Sequence, residues 1–122
     1  MFSDAVLDHF RNPRNAGELP DADVTVEVSN PVCGDVLKLA ARVQNQRIVE
    51  VRFLCRGCTT AIACASLLTE RIKGQTSSQI RKLTAEELSR ELGGLPAATV
   101  HGAELAVDGA SALAQRIVKL RK

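Results

Sequence analysis

The sequence predicts an α+β fold: a three-stranded antiparallel sheet packed against helices, with one helix at the N-terminus and a helical C-terminal half. Two observations carry this. Between positions 24 and 56, three runs alternate apolar and polar residues with period two, the pattern of strands buried on one face. From position 61 onward, apolar residues recur at three- and four-residue steps, the spacing of one helix face. Strands followed by a run of helices make an α+β arrangement.

The elements follow in order. Residues 3–10 read as a short helix capped by Ser3, with Val6, Leu7 and Phe10 as its apolar side. It stops at Asn12-Pro13, because a residue before proline is pushed out of the helical region. A loop from Ala16 to Asp23 leads to the first strand, Val24, Val26 and Val28. The second strand carries Leu37, Leu39, Ala41 and Val43, and the third Val49, Val51, Phe53 and Cys55. Gln44-Asn45-Gln46 between them is short enough for a hairpin.

Ala61, Cys64, Ala65, Leu68 and Ile72 then mark a helix that Gly74 stops. Thr84-x-x-Glu87 is a capping-box pattern opening a short helix that ends at Gly93-Gly94. The last helix runs from about Ala103 to Leu120, with Leu105, Gly109, Leu113 and Ile117 along one side.

Residues 1–122 are expected to form a single domain. Composition narrows the function. Three Phe, no Tyr and no Trp leave few stacking platforms for bases, and 16 basic against 14 acidic residues are scattered rather than gathered in a stripe. Nucleic acid is therefore not an expected partner. No run approaches the ~20 apolar residues of a membrane span, so no membrane is expected either. Asp4 and Asp8 near the start, with no apolar stretch after them, argue against a secretory signal. The expected location is the cytoplasm, where four cysteines stay reduced and point to metal or sulfur chemistry rather than disulfides.

The cysteines differ in setting. Cys33 sits in Pro31-Val32-Cys33-Gly34-Asp35, a turn into the second strand, with the Asp35 carboxylate two residues on. Alone it reads equally as a ligand or as a buried small hydrophobe. Cys58 precedes a helix opened by Thr59-Thr60, where the positive end of the helix dipole and nearby Arg56 favour a thiolate able to bind metal or accept sulfur. Cys55 continues the core face of its strand, and Cys64 the core face of its helix. Cys55-x-x-Cys58 also has the spacing of a dithiol redox pair, but an antiparallel meander precedes it where a βαβ unit would suit that chemistry. His101 stands in a joint just before the last helix, whereas His9 is read as structural.

Several of these segments together resemble one family. Asp8-His9-Phe10-Arg11-Asn12-Pro13-Arg14-Asn15, Val32-Cys33-Gly34-Asp35-Val36-Leu37-Lys38-Leu39, and Gly57-Cys58-Thr59-Thr60-Ala61-Ile62-Ala63 resemble, in order and spacing, the motifs of the IscU/NifU scaffold family. Thr69-Glu70 and Lys73-Gly74 continue in step. The resemblance covers nearly the whole chain. It implies an IscU-like fold and a scaffold or carrier rather than an enzyme. A transient [2Fe-2S] cluster would be built there with sulfur from a cysteine desulfurase, then passed to apo iron–sulfur acceptor proteins.

Carried over residue by residue, the implied ligands are Cys33, Asp35, Cys58 and His101. The same set can hold zinc, and two copies of the chain as a homodimer can share one cluster through Cys33 and Cys58 of each. The sequence departs from the family at two places. Gly102 stands where the family has a third cysteine directly after its histidine, in many members the principal sulfur acceptor. Leu95-Pro96-Ala97-Ala98-Thr99 stands where the family has the Leu-Pro-Pro-Val-Lys contact for its Hsp70 partner. A zinc-binding relative that docks to assembly partners is the alternative, with a Cys55/Cys58 dithiol oxidoreductase behind it.

Overall fold

The computed structural model describes residues 2–32 and 34–120. Helix α1 (Asp4–Arg11) is followed by strands β1 (Val24–Asn30), β2 (Asp35–Gln44) and β3 (Arg47–Arg56), and then by helices α2 (Thr59–Ile72), α3 (Ser77–Ile80), α4 (Ala85–Glu91) and α5 (His101–Lys119). The strands form one antiparallel sheet in the order β1-β2-β3. The α+β reading and the sheet order therefore hold. No helix among the described residues is long and apolar enough to cross a membrane.

Val24 and Val26 of β1, Leu37, Leu39, Ala41 and Val43 of β2, and Val51 and Phe53 of β3 turn one face of the sheet into the core. Cys64, Leu68 and Ile72 of α2 and Leu105, Leu113 and Ile117 of α5 belong to the same buried cluster. The other face carries Arg42 and Arg52, both paired to Glu50. At Gly109 a β-carbon would lie 3.0 Å from a Leu37 methyl and 3.1 Å from a Leu39 methyl, so α5 packs closely on the sheet there and a larger residue would press on both leucines.

Asn45 and Gln46, at φ of 53° and 65°, make the two-residue β2–β3 turn, the left-handed pair that suits a twisted hairpin. A register shift between Arg42 and Val43 then changes which side chains of β3 face inward. Ile48 is fully buried, whereas Val49, read from the sequence as part of the buried face, is 39% exposed.

A second correction concerns α1. Phe10 is 39% exposed, and His9 at 8% goes inward with Val6. His9 is tolerated there because its Nδ1 lies 2.8 Å from the Ser66 hydroxyl of α2, which also accepts the Arg14 backbone N–H at 2.9 Å. Burial is the main cause holding the His9 ring below its usual pKa. The following residues are fastened as well. Asn15 donates its side-chain amide to the Thr69 hydroxyl of α2 at 3.1 Å, and its carbonyl accepts the Phe53 N–H of β3 at 2.9 Å. The segment from Asp8 to Asn15 thus clamps α1 to α2 and to the edge of β3.

Cys58 caps α2, and Gly74, at φ of +83°, follows its end. Helix α3 was not legible from periodicity, since its four residues bury only Ile80, but Thr76-x-x-Gln79 is a capping box that announces it. Thr84 caps α4 as its motif suggests, accepting the Glu87 N–H at 3.2 Å. Helix α5 starts at His101, two residues earlier than the sequence reading, after a single 3-10 turn at Ala97–Thr99.

Candidate functional site

Four element ends meet at one edge of the molecule: the start of β2, the end of β3, and the N-termini of α2 and α5. Asp35 is the first residue of β2, and its side chain turns inward. Cys58 is the N-cap of α2, where its sulfur accepts the Ala61 N–H at 3.4 Å. The cap position fixes the sulfur at the mouth of the helix while leaving Cys58 exposed. His101 is the first residue of α5 and is half-buried.

These side chains come together. Cys58 Sγ and His101 Nε2 are 3.8 Å apart, and His101 Nε2 and Asp35 Oδ2 are 3.6 Å apart. One ligand atom from each of the three lies within 4.8 Å of the other two. A tetrahedral metal bound at ordinary zinc distances would set a sulfur–nitrogen edge of about 3.6 Å and a nitrogen–oxygen edge of about 3.4 Å. The two edges through His101 therefore need to close by only a few tenths of an ångström, and the sulfur–oxygen edge lies within 4.8 Å. Asp35 adds a second sign. The residue is only 5% exposed, and its Oδ2 has no hydrogen-bond partner among the described residues. A buried carboxylate oxygen without a donor is costly unless something else satisfies it. Thiolate, imidazole and carboxylate together suit zinc or iron.

Cys33, the remaining residue of the predicted set, lies outside the described residues. Asp35, Cys58 and His101, distant in sequence, are brought together as expected. Cys64 is fully buried in the core, and burial pushes its thiol up to about 12, so it is inert there. Cys55 is half-buried at the end of β3. Its burial first, then the charges of Asp35 and Cys58, push its thiol up to about 11.

Two glycines shape the site, and sequence pattern gave no signal for the first. A β-carbon at Gly57 would fall 2.9 Å from Asp35 Cγ, so the buried carboxyl occupies the space a side chain would take. At Gly102 a β-carbon would meet backbone, with Ala61 N and Cα each at 3.1 Å and Thr60 C at 3.3 Å. The first turn of α5 therefore packs directly on the first turn of α2, and this contact holds His101 beside Cys58.

The chain is similar to proteins whose names concern the same chemistry. It is 44% identical over 108 residues to the iron–sulfur cluster assembly scaffold protein IscU 1 of Archaeoglobus fulgidus, covering 88% of this chain and 71% of that protein. To the iron–sulfur cluster assembly scaffold protein IscU of Azotobacter vinelandii it is 42% identical over 115 residues, covering 91% and 89%. The crystal structure of a nitrogen-fixing NifU-like protein (N-terminal) from Brucella abortus shares the fold, with a TM-score of 0.78 over 95% of this chain and 93% of that one at 16% identity. The family model described as the NifU-like N terminal domain matches residues 1–120, and the chain belongs to that family.

Proposed function

We propose that this chain is an iron–sulfur cluster assembly scaffold that gathers iron and sulfur at the Asp35–Cys58–His101 site and hands the finished cluster to an acceptor protein. The observation that carries this reading is the Asp35 oxygen, buried without a hydrogen-bond partner beside a thiol and an imidazole at ligand separations. The names of the relatives support it. Cys33, two residues before Asp35, completes a set of two thiolates, one imidazole and one carboxylate for a [2Fe-2S] cargo, a mixed nitrogen and sulfur ligation with precedent in other clusters.

Sulfur arrives as the persulfide of a cysteine desulfurase. Cys58 is exposed and suited to receive it: its thiolate attacks the outer sulfur, the donor's S–S bond breaks, and the donor thiolate leaves with the electron pair and takes up a proton. The chain turns over no substrate of its own in this scheme and acts as a carrier, in the cytoplasm where its thiols stay reduced.

The test is transfer. Protein loaded anaerobically with ferrous iron, cysteine, a desulfurase and a dithiol reductant, which supplies the two electrons that turn each persulfide sulfur into sulfide, is mixed with an apo-ferredoxin, and the two are separated. Cluster absorbance appearing on the ferredoxin, with equal loss from this chain, is the expected result. Tightly held zinc, with no sulfide loaded and none transferred, would instead make the chain a zinc-binding relative.

A further inference from the structure

We propose that Gly57 is a positioning residue of this site: its missing side chain leaves the slot that aims the Asp35 carboxylate at the metal. The inference rests on the reading of the site as a metal or cluster pocket and assigns a residue which that reading leaves without a role. It begins from the sheet register. At the site end of the β2–β3 ladder, Val36 pairs with Arg56. One step further along the same register stand Asp35 and Gly57, directly across from each other. Side chains on such a pair leave the same face from β-carbons about 4.5–5.5 Å apart and must share the room between them.

Here the carboxyl takes all of that room. A β-carbon at Gly57 would lie 2.9 Å from Asp35 Cγ and 3.0 Å from Oδ1. The backbone itself does not ask for glycine. Gly57 is not among the glycines with positive φ, so an alanine fits its conformation. What glycine supplies at this position is space.

That space sets the direction of the carboxyl. Oδ1 lies on the Gly57 side, and Oδ2 lies 3.6 Å from His101 Nε2. Oδ2 has no hydrogen-bond partner among the described residues, so no donor fixes its aim. The aim depends instead on what the rest of the carboxyl packs against. An alanine methyl would have to push the group away by about 0.5 Å to reach an ordinary contact. Ligands must be held within about that distance for a site to bind well.

A double-mutant cycle between Gly57→Ala and Asp35→Ala tests this, read by anaerobic cobalt(II) titration and by urea unfolding of the metal-free protein. Gly57→Ala alone should weaken cobalt binding about 10–100-fold, the range seen when a ligand loses its support. In the Asp35→Ala background the carboxyl is gone, and the same change should cost only about two-fold. The Ala61 β-carbon, 3.2 Å from the new methyl, is met in both backgrounds and cancels in the cycle. The urea midpoint should likewise fall more when Asp35 is present. At saturating cobalt the d–d bands of Gly57→Ala should match those of Asp35→Ala, a signature that a loss of stability alone would not give. Wild-type affinity in Gly57→Ala, or the same fold-loss in both backgrounds, overturns the proposal. A wild type that binds no cobalt overturns the metal-site reading and this role with it; cobalt bound with no coupling between positions 35 and 57 overturns only the role given to Gly57.

Discussion

Asp35→Ala is expected to make the metal-free protein more stable and to abolish its loading. The carboxylate sits 5% exposed at the start of β2, with Oδ2 unpartnered among the described residues and His101 Nε2 3.6 Å away. An unsatisfied buried polar group costs about 1–3 kcal/mol, and alanine removes that cost while leaving the β-carbon in place. Urea unfolding in the presence of a chelator should show the gain as a higher midpoint with an unchanged slope. The same change removes a ligand, so iron or cobalt affinity should fall by about 100-fold or more, beyond what loss of a supporting partner alone produces. Stability and binding then move in opposite directions, the mark of a group kept for function. A variant that is less stable yet loads normally would make Asp35 a structural residue.

Gly102→Cys is expected to weaken the site, although it restores the thiol that the family motif carries there. The new β-carbon must push against Ala61 and Thr60 backbone at 3.1–3.3 Å, in the turn that Cys58 caps. Overpacking of this kind costs about 1–3 kcal/mol, against at most about 1 kcal/mol gained by replacing glycine in a helix. Relief comes from moving the start of α5, and His101, one residue away, moves with it. Thermal unfolding and cobalt affinity should therefore both fall, and Gly102→Ala should reproduce the loss without adding a thiol. Tighter cobalt binding in Gly102→Cys at unchanged stability would show that the two helix ends part easily.

Much of this was legible in the sequence because it depends on local signals. Alternation placed the three strands, Ser3 and Thr84 announced their helices, and Gly74 marked the end of α2. The motifs around Asp35 and Cys58 named site residues because each lies at an element end, where the fold presents side chains to ligands. The misreadings have tertiary causes. A bulge exchanged Ile48 for Val49 in the core, which period-two counting along one strand does not reveal. His9 goes inside because Ser66, far along the chain, receives it. Gly102 looked like a simple loss of a thiol until the packing of α5 on α2 gave it a steric reason.

The central claim is that Cys58 and its neighbours hold a cluster, and iron and acid-labile sulfide content tests it most directly. Wild-type protein and Cys58→Ser are reconstituted anaerobically side by side. Serine is itself a preferred helix cap, so the variant keeps the start of α2 and loses only the thiolate. The account predicts iron and sulfide in near-equal amounts on the wild type and neither on a folded Cys58→Ser. Equal loading of the two proteins, or a wild type that takes up no sulfide, would contradict it.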